Sequence, residues 1–468
     1  MADFALPVST RDKIISLIED QRLFFQSSKT LSYEFRRSQL ERLQLTIQKH
    51  EKDIFQAINL DFKKSEFETY VTEIGVLYWE IKHSLKHLKK WMRPKRVSTP
   101  ILHWPARSYV NNEPFGNVLV IGPWNYPFQL VIAPLIGAIA AGNTVILKPS
   151  ELAPHTSSLL AKMIKETFPP DYVALVEGGI EETTALLDQQ FDYIFYTGST
   201  RVGKIIMQKA AHYLTPVTLE LGGKSPCLVY GSVDMQVVAR RLAWGKFMNA
   251  GQTCVAPDYV LIEPGLKASF IQALKATISD FYGANPQQSP DYPRIINDSH
   301  FKRLSQLIEN KQIILGGECA PEQKYIAPTV VSATDQSPIM QDEIFGPILP
   351  VIELDTFEQA IHFVRNRPKP LAAYLFSSNP AYQTSFEQRV SAGGMCINDT
   401  VVHLSVSDLP FGGVGESGMG AYHGKYSFDT FSHKKSILRR WFIFDIIMKY
   451  PPYSRYFKLV KKLMEFFA

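Results

Sequence analysis

The chain of 468 residues is long enough for two or three domains, and a hydrophobic fraction of 45% with a charged fraction of 20% excludes a disordered or fibrous protein. Its net charge of +5 belongs to the end of the chain: from Lys434 to Ala468 nine Lys/Arg stand against two acids, which leaves −2 for everything before. The main body therefore offers no basic face for nucleic acid. The four cysteines, Cys227, Cys254, Cys319 and Cys396, lie too far apart for a zinc site, so no metal is expected.

"MADFALPVSTRDKII" at the start has no apolar core behind a basic beginning, so no secretory leader is expected and a cytoplasmic, reducing setting is. Residues 9–92 carry helical spacing with many charges, as in "SYEFRRSQLERLQLTIQKHEKDIFQAI", which suits amphipathic surface helices. The texture changes at "RPKRVSTPILHWPARSYVNNEPFG", where proline and extended-forming residues predict a strand or hairpin over 93–116. "PFQLVIAPLIGAIAAG" (127–142) is too short to cross a bilayer, contains Gln129 and Pro134, and reads as a buried helix stopped by Gly142.

From 117 to 220 apolar strands alternate with helices: "NVLVIG", "TVILKPS", "YVALVEG", "FDYIFYTGS" and "PVTLELGG", with helices from about Thr156 and Thr200. Such alternation predicts parallel βαβ units, a nucleotide-binding architecture. A second α/β region follows, with strands at "SPCLVY", "DYVLIE", "IIL", "PTVVS", "LPVIEL", "LAAYLFS" and "GGMCIND". The glycine-rich "LPFGGVGESGMGAYHG" (409–424) comes next, and "SFDTFSHKKSILRR" reads as extended.

Four places could carry chemistry. "TGSTRVG" (197–203) follows a strand and opens a helix, where backbone N–H groups hold phosphate. Its spacing, Gly198 to Gly203 with Thr200 in place of the middle glycine, departs from the Rossmann fingerprint and equally suits a packed strand-to-helix turn. Glu220 in "LELGGK" ends a strand and could face a cleft or simply solvent. Cys254 in "NAGQTCVAPD" has small and polar neighbours, which suits a partly accessible reactive thiol better than a core residue. Asn125 in "GPWNYPF" projects one amide, either a turn residue or a donor to a developing oxyanion.

Taken in order, "GPWNYPF", "KPSE", "FYTGSTRVG", "LELGGK", "GQTCVAPDY", "EIFGPILPV" and "LPFGGVGESGMGAYHG" resemble the aldehyde dehydrogenase superfamily from about 10 to 440, most closely its class 3 and fatty aldehyde branch. The resemblance implies two parallel-sheet α/β domains, a Rossmann-like cofactor domain over 1–92 and 114–220 and a catalytic domain over 221–402. An extended oligomerisation element of 93–113 and 403–440 would make a homodimer. It implies Cys254 as nucleophile, Asn125 and the Cys254 N–H as oxyanion donors, and Glu220 as the base that activates water. It further implies NAD as cofactor, with NADP accepted: Lys148 and Glu151 at the adenosine ribose, Gly198, Ser199 and Gly203 at the pyrophosphate segment, Glu343 at the nicotinamide ribose and Phe345 against the nicotinamide. The alternatives are acyl transfer from the thioester to another acceptor such as coenzyme A, and a catalytically silent binding protein on the same fold.

The implied substrates are apolar aldehydes: medium- to long-chain, apocarotenoid or aromatic. Beyond 440 the tail is basic and amphipathic, with Lys458, Lys461, Lys462 and Glu465 on one face and Tyr456, Val460, Leu463 and Phe467 on the other. It either packs on the enzyme or touches a membrane surface.

Overall fold

The computed structural model describes residues 10–309, 312–443 and 445–467, so the first nine residues of the expected cofactor domain lie outside it. Two compact units emerge. The larger joins the described residues up to Trp91 with Pro114–His433; the smaller joins Met92–Glu113 with the described residues from Lys434 onward.

In the larger unit, β1 (Asn117–Ile121) lies between β2 (Thr144–Lys148) and β4 (Tyr193–Thr197), with β3 (Val173–Leu175) outside β2 and β5 (Val217–Glu220) outside β4. All four pairings are parallel. Every residue of β1, β2 and β4 is buried, which is why these strands read as unbroken apolar runs. The helix Gln129–Ala141 is buried from Leu130 onward and ends at Gly142, whose φ of 94° is left-handed. Strand order turns back at β1, so the carboxyl ends of β1 and β4 flank a crevice of the kind in which open α/β sheets bind ligands.

The second sheet of this unit contains β6 (Pro226–Val229), β7 (Tyr259–Ile262), β8 (Ile313–Leu315), β9 (Thr329–Ser332), β10 (Ile348–Glu353), β11 (Ala372–Phe376) and β12 (Gly394–Ile397). Their order is β8-β9-β10-β7-β6-β11-β12, and only the edge strand β8 runs antiparallel. All seven strands coincide with the apolar runs of the sequence. The two-sheet α/β architecture expected from the resemblance is present.

Two boundaries differ from expectation. Residues 403–433 belong to the larger unit, because the strand Gly418–Met419 adds antiparallel to β5, Gly418 opposite Glu220 and Met419 opposite Leu219. The stretch expected to be extended from Ser427 instead opens in the helix Gly424–Thr430. The carboxylate of Glu80, 344 positions earlier, accepts from Gly424 N at 2.8 Å, and Ser427 and Phe431 pack where a Cβ on Gly137 would sit. A cap supplied from so far away leaves no local trace.

The smaller unit holds a three-stranded sheet in the order Lys95–Val97, Ala106–Pro114, Ser432–Arg440. The first two strands pair antiparallel, the excursion expected over 93–116. Ser432–Arg440 is an edge strand and mostly exposed. The tail ends in the helix Phe457–Phe467, and among the described residues no helix is long and apolar enough to cross a membrane.

Candidate active site

Cys254 lies in the loop between the helix Met235–Phe247 and β7. Just before it Asn249, Ala250 and Gly251 have successive φ values of 52°, 51° and 72°, a left-handed run that only Gly adopts without strain. Side-chain hydrogen bonds hold it there. Gln252 Nε2 donates to Asn249 O and to Arg294 O, both at 3.0 Å, and Gln252 Oε1 accepts from Ile296 N at 3.0 Å. Tyr126 and Thr253 join hydroxyls at 2.7 Å. At Gly251 a Cβ would fall 2.3 Å from Gly346 O, so backbone and backbone meet there.

Asn125 is buried, and its Nδ2 donates to Gln252 O at 3.1 Å while its carbonyl accepts from Asn249 Nδ2 at 2.8 Å. The amide that the sequence singles out thus lies against the cysteine loop. Glu220, the last residue of β5, is buried; its carbonyl accepts from Gly198 N at 2.9 Å. Neither carboxyl oxygen has a hydrogen-bond partner within the protein.

Cys254 and Glu220 line one cavity of about 260 Å³. Val71, Leu77, Trp79, Leu130, Val401 and Phe411 make most of its wall apolar. Burial raises the Cys254 thiol, and the charges of Glu343 and Glu220 add to this, opposed by the backbone N–H groups of Cys254 and Val255. Burial also holds the Glu220 carboxyl well above the usual carboxylate range. Both shifts have one main cause, since a water-poor apolar surrounding disfavours the thiolate and the carboxylate alike.

The residues expected at a dinucleotide occupy the crevice rim and its surroundings. Lys148 ends β2 with its ammonium buried, donating to Pro149 O at 2.7 Å and lying 3.7 Å from Glu151 Oε2. Burial lowers its pKa while Glu151 raises it. Gly198 and Ser199 follow β4, and Ser199 Oγ caps the helix Thr200–Tyr213 by accepting from Val202 N at 3.4 Å. Gly203 has a packing role: a Cβ there would sit 2.7 Å from Leu221 Cδ2. Glu343 is tucked against the next turn, since a Cβ on Gly222 would meet its Oε2 at 2.1 Å. Burial, then Asp258, pushes Glu343 up to about 8, while Gly223 N, Lys224 and Arg303 pull it down. Phe345, with φ 51°, meets Trp124 edge-on at 5.3 Å.

This donor set fits a nicotinamide dinucleotide. A helix N-terminus faces the crevice for pyrophosphate, and the half-exposed Glu151 beside a buried ammonium suits ribose hydroxyls. A glycine at 222 leaves room for a second carboxylate.

An independent match decides the matter: residues 4–437 fit the model of the aldehyde dehydrogenase family. The chain belongs to the aldehyde dehydrogenase family. It is 48% identical over 445 residues to the 4,4'-diaponeurosporen-aldehyde dehydrogenase of Staphylococcus aureus, covering 94% of this chain and 97% of the relative. It is equally similar, 48% over 442 residues, to the "Aldehyde dehydrogenase, dimeric NADP-preferring" of Rattus norvegicus, covering 94% and 98%. A substrate-bound Staphylococcus aureus AldH superposes with a TM-score of 0.95 at 47% identity, over 96% of this chain and 99% of that one. This aldehyde dehydrogenase is a nicotinamide-dependent oxidoreductase that converts aldehydes to carboxylic acids.

Several residues of the site carry no sequence signal of their own. Lys246 is buried with its ammonium unbonded, and burial, with Lys224, lowers it to about 8 against the pull of Asp258 and Glu343. The cavity wall from Val71 to Glu80 comes from a helix that reads as surface, and Val401 to Ser407 from a segment between the last expected strand and the glycine-rich stretch.

Proposed function

We propose that Cys254 attacks the aldehyde carbon from the cavity floor, with the Cys254 N–H and the Asn125 amide steadying the oxygen as it becomes negative. The observation that carries this reading is the single cavity in which the thiol and the unpartnered Glu220 carboxyl stand together. NAD, when bound, supplies the acceptor for the hydride. Cys254 then holds the acyl group as a thioester, and Glu220 takes the proton of the attacking water. Burial that raises the Glu220 pKa makes its carboxylate a stronger base for that step.

The apolar wall supports medium- to long-chain, apocarotenoid or aromatic aldehydes as substrates, and the Staphylococcus aureus relative bears diaponeurosporen-aldehyde in its name. Lys148, Glu151, Gly198, Ser199, Glu343 and Phe345 bind the dinucleotide, and Gly203 seats the helix that receives it. The Glu151 carboxylate favours NAD over NADP by repelling a 2′-phosphate; kcat/KM higher with NADP would refute this. The cofactor domain spans 1–92 and 114–220 and the catalytic domain 221–402. A homodimer forms through the open edge of Ser432–Arg440, a reading that a monomer in light scattering would overturn. The basic tail rests on anionic membrane surface.

The deciding experiment follows NAD reduction at 340 nm with hexanal, decanal and an apocarotenoid aldehyde, beside Cys254→Ala. A loss of at least about 10³-fold in the variant, with wild-type kcat/KM rising with chain length, is expected. Activity that survives the substitution removes Cys254 from its role.

A further inference from the structure

Three ionisable side chains of the N-terminal helical region, Lys64 and Glu73 buried and Glu68 half-buried, lie beside the site and take no part in the reaction described above. They sit around a widened turn: the helix that starts at Glu66 passes through a π-helical segment, Tyr70–Ile74, before continuing as Gly75–Trp91. Such turns recur at functional places.

Lys64 Nζ lies 3.0 Å from Glu73 Oε1, and neither side chain reaches solvent. The other oxygen, Glu73 Oε2, accepts from Phe128 N at 3.0 Å and Gln129 N at 3.3 Å. Phe128 cannot cap its own helix, so Glu73 acts as the remote cap for the segment that begins with Asn125 and Tyr126. The Lys64 ammonium also stands 4.5 Å from the centre of the Tyr126 ring, whose hydroxyl meets Thr253, the neighbour of Cys254. On the opposite side Glu68 Oε1 accepts from Asn249 N at 2.7 Å. Asn249 is the first residue of the left-handed run, and its own amide bonds both Asn125 O and Gln252 O.

Each carboxylate therefore grips one half of the site. Glu73 holds the Asn125 turn and Glu68 holds the Cys254 loop, with the positive charge of Lys64 next to both. Buried charge is a costly way to fill space that apolar side chains would fill more cheaply. Left-handed non-glycine residues likewise persist only where their surroundings enforce them.

We propose that Lys64, Glu68 and Glu73 are positioning residues that set the relation between the Asn125 amide and the Cys254 thiol. This rests on the roles given to Cys254 and Asn125 above. The three side chains touch no substrate. They act by fixing three backbone N–H groups, those of Phe128, Gln129 and Asn249, and through them the two loops.

The test compares Glu68→Gln, which keeps an oxygen for Asn249 N, with Glu68→Leu, which does not. Four readouts are taken on the full-length protein: kcat with decanal, KM for NAD, the rate of Cys254 alkylation by iodoacetamide, and Tm. Glu68→Leu is expected to lower kcat by about 10- to 100-fold and to change the alkylation rate, while KM for NAD stays within about twofold; Glu68→Gln recovers most of the activity. Removing Lys64 or Glu73 alone strands a buried charge, so the pair is tested as Lys64→Met/Glu73→Gln, with the same fall in kcat expected. The idea is overturned if folded Glu68→Leu or the folded double variant keeps wild-type kcat and alkylation rate, or if Glu68→Gln is as impaired as Glu68→Leu. Alkylation reads the placement of the thiol without turnover, so those outcomes stand apart from failure of the parent reading, which shows as activity in Cys254→Ala.

Discussion

The two compact units treat apolar surface in opposite ways. In the larger, the aliphatic and aromatic side chains close around two sheets and a lined cavity, and the loop next to Cys254 has a hydrogen-bond partner for almost every polar group that bends it. In the smaller, Phe442, Ile443, Ile447, Tyr453, Phe457 and Met464 are all more than half exposed, on a segment rich in lysine and arginine. The larger unit has placed most of its apolar residues in an interior, whereas the smaller leaves most of its large ones exposed. Chemistry and attachment should therefore separate cleanly under mutation.

The largest effect should come from within the cavity. Glu220→Gln is expected to lower steady-state kcat by about 10²- to 10⁴-fold while a burst of one NADH per active site survives, because only thioester release needs the base. Stopped-flow absorbance reads both numbers, and loss of the burst with kcat would contradict that division of labour. Asn125→Ala should follow with about 10²- to 10³-fold in kcat and a small change in KM for NAD, as expected for one oxyanion donor. A twofold effect would leave the donation to the Cys254 N–H alone.

Truncation after Arg440 should do the reverse, leaving kcat on hexanal within about twofold and abolishing flotation with anionic liposomes. If full-length protein also stays with the soluble fraction, the exposed residues serve contact between protein surfaces instead. The smallest effect concerns Glu80, which borders the cavity and caps Gly424. Burial pushes its carboxyl up to about 7, against backbone and side-chain bonds from Gly424 and Ser427 that lower it. The folded state thus keeps a proton that the unfolded chain releases above its ordinary value of 4.5, so this contribution to stability is present at pH 5 and lost as pH climbs toward 7. Glu80→Gln removes the dependence, and its Tm should gain on wild type by about 2 to 4 °C between pH 5 and pH 8. Parallel melting curves at the two pH values would show the carboxyl to be ionised in the fold.

What could be read from the sequence was whatever a strand or a loop declares locally. β1, β2 and β4 are buried on both faces, so "NVLVIG" and "TVILKPS" carry their environment in their composition. Cys254 is conspicuous because its neighbours are small and polar. Glu73 and Glu68 are invisible by the same rule, since a helix with scattered charges looks solvated whether or not one of its turns has widened to point a carboxylate inward. That residues 403–433 join the larger unit has no local signature, because strand pairing between residues about 200 apart ties them there. The cavity wall shares that fate, being assembled from helix, strand end and loop that meet only in space.

The strand Gly418–Met419 also has a consequence in time. Until it arrives, the end of β5 that bears Glu220 is an unpaired edge, and Asn143 waits for the carbonyl of Phe431. The edge of β5 that carries Glu220 is thus closed by a strand about 200 residues later, so translation must run past Met419 before that pairing can form.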